Sequence, residues 1–231
     1  MVYFITGEPG TGKTSFEECR GLQWHLRTIR RSIYISADRN ILYSKITKTA
    51  GTSICRMALE PNIPDLYPLS GLQGQRVLRT VPYKDLFSFA FVRNPWDRAI
   101  STYFMFKDDR SRMMRGMPRD FPGMIEAYAA GKATAGVARH LAPQAPHFLY
   151  KGEPFVEFIG RFERLHEDWA HVAGRIGLDV ELPHANATKH DHYSTYYTQR
   201  EIDIVRELYA EEIEYLGYEF EYKLPKLDGN S

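Results

Sequence analysis

Twice in this chain a short run of β-branched, aromatic and aliphatic residues stops at a polar turn and continues as a helix-like segment, first over residues 41–54 and again over residues 86–103. A strand that passes through a tight turn into a helix lays that helix back on the sheet, which commits the chain to α/β layering. Apolar runs at residues 2–6, 33–36, 41–46, 86–92 and 155–159 alternate with helix-like or turn segments. The expected fold is therefore α/β, with a mainly parallel sheet flanked by helices in a single domain. A length of 231 residues, 43% of them hydrophobic, suits one core of ordinary size.

Helical periodicity is clearest late in the chain. Leu165, Trp169, Val172 and Ile176 recur at steps of four and three before Gly177. Ile202, Val205, Tyr209, Ile213 and Leu216 repeat the pattern, opened by a capping box from Thr198 to Glu201 and closed by Gly217. Residues 107–119 are polar, basic and Met-rich without a sustained period, and are expected to form a mobile surface loop.

Lys plus Arg number 30 against 29 Asp plus Glu, so the net charge of +1 gives no overall field to draw in nucleic acid. Any anion site must be local. The two cysteines, Cys19 and Cys55, are too few for a disulfide framework and lack zinc-site spacing. No stretch approaches the roughly 18 apolar residues of a membrane span. The N-terminus also lacks the basic region and long apolar run of a secretory signal, so a cytoplasmic location is expected. Nothing in the pattern sets an oligomeric state.

In the first strand–turn–helix segment, Lys48 brings a positive charge to a Gly-containing turn while Thr49, Thr52 and Ser53 bring short hydroxyls. Backbone N–H groups and a helix N-terminus would face an anion there. A Thr-rich turn that merely caps a helix fits the same residues equally well. In the second segment, Pro95 suits the first helical turn, Arg93 can grip a phosphate in bidentate fashion, and Ser101 can add a hydroxyl from the helix that follows. The alternative is an Arg93 that pairs with Asp97 at the helix start.

Lys48-Thr49-Ala50-Gly51-Thr52-Ser53 resembles the 5′-phosphosulfate loop of the sulfotransferases, and Arg93-Asn94-Pro95 followed by Arg98 and Ser101 resembles their 3′-phosphate motif. Phe158-Ile159-Gly160-Arg161-Phe162-Glu163, the segment from Leu182 to Lys189, Tyr193, Tyr196 and Tyr197 are similar to later landmarks of the carbohydrate-type branch. The resemblance spans about residues 32–220. Thr47 stands where the family usually has Pro, and Lys45 where it often has His or an apolar residue.

The resemblance implies a P-loop-type α/β fold and an enzyme that moves a sulfuryl group from 3′-phosphoadenosine 5′-phosphosulfate (PAPS) to a hydroxyl, with a saccharide as the expected acceptor. It further implies that Lys48, Thr49, Gly51, Thr52 and Ser53 hold the 5′-phosphosulfate, that Arg93 and Ser101 hold the 3′-phosphate, and that Lys189 also contacts the donor. Lys48 would in addition stabilise charge on the leaving oxygen. Residues 32–222 would form the sulfotransferase domain, after an N-terminal extension over residues 1–31 and before a frayed tail over residues 223–231. The basic loop at 107–119 would suit an acidic or already sulfated glycan, or would simply be solvated.

A rival signal sits at the N-terminus. Gly7-Glu8-Pro9-Gly10-Thr11-Gly12-Lys13-Thr14 is a full Walker A match behind a strand-like run, and Gly7, Gly12, Lys13 and Thr14 would bind ATP or GTP. Against it, no convincing Walker B Asp follows, since residues 33–38 are a poor candidate, and about thirty residues are too few for a nucleotide-binding domain of their own.

A hydroxyl that attacks sulfur must lose its proton to a positioned base. His140, just before Leu141-Ala142-Pro143-Gln144, is the first candidate, with Glu163 and His190 behind it. The resemblance implies that the His- and Asp-rich stretch at residues 184–193 is a loop over the nucleotide rather than a metal site, since sulfuryl transfer of this kind needs no metal. The aromatic cluster at residues 193–197 is expected to pack and anchor that loop.

Overall fold

A computed structural model of the chain describes residues 22, 25–26, 29–109, 114–182 and 191–222. The Walker A residues Gly7, Gly12, Lys13 and Thr14, as well as Lys189, His190 and the tail beyond residue 222, lie outside the described residues. In chain order the strands are β1 (Ile33–Ser36), β2 (Ile41–Ser44), β3 (Tyr67–Pro68), β4 (Phe87–Val92), β5 (Leu149–Tyr150), β6 (Glu153–Pro154) and β7 (Phe158–Arg161). The helices are α1 (Leu72–Thr80), α2 (Pro95–Phe106), α3 (Phe121–Ala129), α4 (Ala135–Leu141), α5 (Leu165–Arg175), α6 (Gln199–Leu208) and α7 (Ala210–Leu216). A π-helical segment covers Ser53–Leu59.

The chain forms two compact units, Met1–Val92 with Gln144–Ala185 and Arg93–Pro143 with Asn186–Ser231. The first contains the sheet, in the order β3-β1-β2-β4-β7. β2, β4 and β7 are mutually parallel neighbours, and β1 is antiparallel to both β2 and β3. Thus β3, β2, β4 and β7 run one way and β1 alone runs against them, which makes the sheet mainly parallel in direction, as the alternating pattern suggests. The reversal at β1 follows from the short turn at residues 37–40, because a parallel neighbour needs a crossover of a dozen or more residues. Asn40 takes φ 50° there, and Asp65 accepts hydrogen bonds from the Ser36 hydroxyl and from the backbone N–H groups of Ala37 and Asp38.

All residues of β2 and β4 are buried, as expected for strands covered on both faces. Ile41 and Tyr43 from β2 join Phe87, Phe89 and Phe91 from β4 on one face, where Ile54, Cys55, Ala58 and Leu59 of the π-helical segment and Leu165, Trp169 and Val172 of α5 close over them. The alternating register of the strands and the steps of the helix meet in this cluster. Trp169 also donates its indole N–H to the Val180 carbonyl at 2.7 Å, which keeps its polar atom satisfied in the core.

The second unit is helical. Tyr209 interrupts what the sequence pattern suggests is one helix over residues 202–216, with φ −123° and ψ 27° between α6 and α7. Its hydroxyl donates to the Leu141 carbonyl at 2.6 Å, a tertiary bond that fixes the ring where the helix breaks. The expected capping box from Thr198 to Glu201 is present, and Gly217 closes α7 in the left-handed region at φ 64°. The expectation of a surface loop at 107–119 is only partly met, since Met114 and Met117 in its second half are buried. The strand expected at 155–159 begins only at Phe158, because Phe155 instead donates its N–H to the Phe148 carbonyl beside the β5–β6 hairpin.

Among the described residues, no helix is long and apolar enough to cross a membrane, and no group of three or more His, Cys, Asp or Glu side chains is placed to hold a metal ion.

Burial holds the Tyr43 and Tyr197 phenols well above their ordinary value of 10.0 and raises those of Tyr83 and Tyr193 to about 12. These groups stay neutral in the fold but ionise near 10 in the unfolded chain, so the stability they contribute is complete below about pH 10 and is lost as pH climbs toward 12. In an alkaline titration, part of the tyrosinate absorbance should appear together with the loss of circular dichroism. Full ionisation near pH 10 with the fold intact would contradict this account.

Candidate active site

The carboxyl ends of β2 and β4 lie side by side at one edge of the sheet, the edge at which open parallel sheets place ligands. β2 gives way to the loop that contains Lys48. Its first residue, Lys45, donates its N–H to the Ser32 carbonyl at 2.7 Å. Lys48 then takes φ 67° and Ala50 φ 61°, both in the left-handed region that L residues seldom enter. Thr49 between them is 0% exposed and donates its hydroxyl to the Ile46 carbonyl at 3.1 Å. That hydroxyl braces the loop from inside.

Gly51 follows with no room for a side chain. A methyl group on its α-carbon would stand 2.8 Å from Lys45 Cγ and 3.2 Å from the Ile46 carbonyl oxygen. Helical bonding begins as Ile54 N–H reaches the Ala50 carbonyl at 3.0 Å, and it widens into the π-helical segment, where Glu60 N–H reaches Cys55 O at 2.8 Å. Thr52 is exposed and Ser53 half-buried at this first turn. Residues that step into the left-handed region on either side of an ordinary one curl the backbone into a concave turn of N–H groups, the geometry of anion-binding nests.

Arg93 is the residue after β4 and opens the second unit. It is 8% exposed, and its Nε lies 2.8 Å from Asp97 Oδ2, so the ion pair given above as an alternative does form. Asn94 caps α2 by accepting from the N–H groups of Trp96 and Asp97, and its amide donates to the Glu219 carbonyl. Pro95 holds the first helical position. Asp97 and Ser101, four residues apart, share one side of α2, and Arg93, ahead of the cap, reaches Asp97 through its ion pair. Ser101 is buried, and its hydroxyl makes no hydrogen bond among the described residues.

Arg98 is the second arginine of the same motif. It is 1% exposed and donates Nη1 to the His140 carbonyl at 3.1 Å and Nη2 to the Ala142 carbonyl at 2.9 Å, at the end of α4. Its guanidinium lies over the Tyr209 ring, 5.1 Å from the centroid, and 3.9 Å from the Glu212 carboxylate, itself 0% exposed. Its place as the second arginine of the motif is the one signal that points to it, and that signal does not separate ligand contact from burial.

His140, the first candidate base, gives its backbone carbonyl to that arginine, and its ring is oriented by a different contact. Its Nδ1 lies 2.8 Å from the Gly136 carbonyl oxygen, which only accepts, so Nδ1 carries a proton. In the neutral ring Nε2 then has the lone pair that a base needs. Phe106 meets the imidazole edge-on at 5.1 Å. Glu163 lies on an exposed 3₁₀ turn, Phe162–Arg164. The aromatic cluster packs as expected: Tyr197 donates its hydroxyl to the Trp96 carbonyl at 2.8 Å, and the Tyr193 hydroxyl accepts from Glu221 N–H at 2.7 Å.

A family model described as the sulfotransferase family matches residues 65–219, well over half of the chain. The chain belongs to the sulfotransferase family. It is an enzyme of sulfuryl transfer, and the α/β sheet with its covering helices is the fold that the resemblance implies. Within the sulfotransferase match lie Arg93, Arg98, Ser101, His140 and Glu163, whereas the Lys48 loop precedes it. The chain is also 31% identical over 106 residues to an Archaeoglobus fulgidus protein described as an uncharacterized protein, a span that covers 46% of this sulfotransferase and 80% of the other chain. No solved structure matches it.

Proposed function

We propose that this sulfotransferase takes its sulfuryl group from PAPS and delivers it to a hydroxyl of a saccharide. The observation that carries the donor reading is the loop after β2, with Lys48 and Ala50 in left-handed conformations around an inward-braced Thr49. In this reading the backbone from Gly51 to Ser53, with the Thr52 and Ser53 hydroxyls, receives the 5′-phosphosulfate. Thr49 contributes through the loop it closes. Arg93 and Ser101 receive the 3′-phosphate, Arg93 held in position by Asp97 and Ser101 with a hydroxyl that has no other partner among the described residues.

The acceptor oxygen attacks sulfur in line, the bond from sulfur to the bridging oxygen breaks, and adenosine 3′,5′-bisphosphate leaves. Lys48 stabilises the negative charge that grows on the bridging oxygen. His140 accepts the acceptor proton at Nε2, a role supported by the Nδ1 bond that leaves Nε2 the basic nitrogen. The saccharide follows from the resemblance of the later landmarks to the carbohydrate-type branch.

Adenosine 3′,5′-bisphosphate should bind without metal, because in this reading Lys48, Arg93 and Ser101 supply the counter-charge and donors that Mg²⁺ supplies in kinases. Calorimetry in EDTA measures this, with ATP plus Mg²⁺ as the comparison for the motif at Gly7. Binding of ATP with no detectable heat from the bisphosphate would refute the donor reading. Turnover of labelled PAPS against a panel of glycans and small alcohols then tests the acceptor class, and transfer to small alcohols alone would refute the saccharide.

A further inference from the structure

We propose that Lys45, three residues before Lys48, is a second cation of the donor site and shares the charge of the 5′-phosphosulfate with it. This rests on the reading above that the loop after β2 holds that group. The stem of Lys45 lies against Gly51 of the loop. A methyl group on Gly51 would lie 2.8 Å from its Cγ and 3.0 Å from its Cε, so the side chain occupies the space that the missing Cβ leaves open. The absence of a side chain at Gly51 thus admits a charged chain against the turn.

The ammonium group of Lys45 stands 5.7 Å above the Tyr34 ring centroid. An aromatic face attracts a cation without neutralising it. Lys45 is half-buried and forms no ion pair among the described residues, whereas Arg93, Arg98 and Arg164 all have carboxylate partners. A partly desolvated cation without a counter-ion is costly unless a ligand supplies the anion. Its field also reaches the first turns of the helix after the loop. Burial pushes the Cys55 thiol up to about 11, and Lys45 is the largest influence opposing that rise.

The test compares Lys45→Met, which keeps an unbranched stem against Gly51, with Lys45→Arg, which keeps the charge. Affinity for adenosine 3′,5′-bisphosphate is measured by calorimetry at low salt and again at about 1 M salt, where screening acts within roughly 3 Å. Lys45→Met should weaken binding about tenfold at low salt and approach the parent at high salt, and Lys45→Arg should stay within a few-fold throughout. A loss equal at both salt concentrations would show that Lys45 only props the loop, and unchanged affinity at low salt would show that it faces no phosphate; either overturns the proposal. A parent protein that fails to bind the bisphosphate at all overturns the donor reading itself, and this proposal with it.

Discussion

Alanine in place of Lys48 should lower kcat by roughly thirty- to a thousand-fold at saturating donor, the range for removal of a charge-assisted contact of about 2–4 kcal/mol that is strongest in the transition state. On the proposed donor reading, negative charge accumulates on the bridging oxygen only as the sulfur–oxygen bond breaks, so much of the contact is absent in the ground state. The substitution isolates the ammonium group well. Alanine already occupies the left-handed region two residues later, at Ala50, so it can take the same backbone shape at position 48 at a comparable cost. Arg93→Ala is the matched control. The 3′-phosphate does not change charge during the reaction, so this variant should raise the donor KM with a smaller effect on kcat. Because Arg93 also pairs with Asp97 at the start of α2, circular dichroism must first show both proteins folded. If Lys48→Ala altered only KM, Lys48 would be a binding residue and its catalytic role would be wrong.

Arg98→Met should destabilise the fold by roughly 3–5 kcal/mol, the usual cost when one member of a buried ion pair is removed. The reason lies in what remains. Glu212 would keep its carboxylate at 0% exposure without the guanidinium 3.9 Å away, and the carbonyls of His140 and Ala142 would lose their donors. Chemical denaturation measures the loss, and Arg98→Met combined with Glu212→Gln should recover part of it, since the double variant no longer buries a carboxylate that has lost its guanidinium. A single-variant cost below about 1 kcal/mol would show that the Arg98 contacts contribute little to the fold.

The α/β layering, the strand–turn–helix units and the two late helical patterns are legible in the sequence because each depends on local period and turn chemistry. The reversed direction of β1 was also within reach, since the four residues from 37 to 40 are too few for a crossover. What escaped is tertiary. A threonine in a Thr-rich turn carries no mark that distinguishes an outward hydroxyl from one turned back on Ile46, as Thr49 is. The break at Tyr209 coincides with a hydrogen bond to Leu141, 68 residues away, and the period of apolar residues continues through it unchanged. Arg98 and Arg93 look alike in one motif, yet Arg98 belongs to the interior and Arg93 pairs with Asp97 at the start of α2. The distinction depends on Glu212 and Tyr209, distant residues that the motif does not contain.

Two ordinary L residues held at positive φ, Lys48 and Ala50, each cost the folded chain roughly 1–2 kcal/mol. That cost is met when the sheet assembles, through the bonds from Lys45 to Ser32 and from Thr49 to Ile46 that leave the turn one shape. On the proposed donor reading, an arriving anion meets a preorganised cradle, and little of its interaction energy is consumed in reshaping the backbone. Glycine at either position would ease folding but would restore the conformational entropy that the anion must then remove. The loop gives up some resting stability in exchange for rigidity at the point of contact.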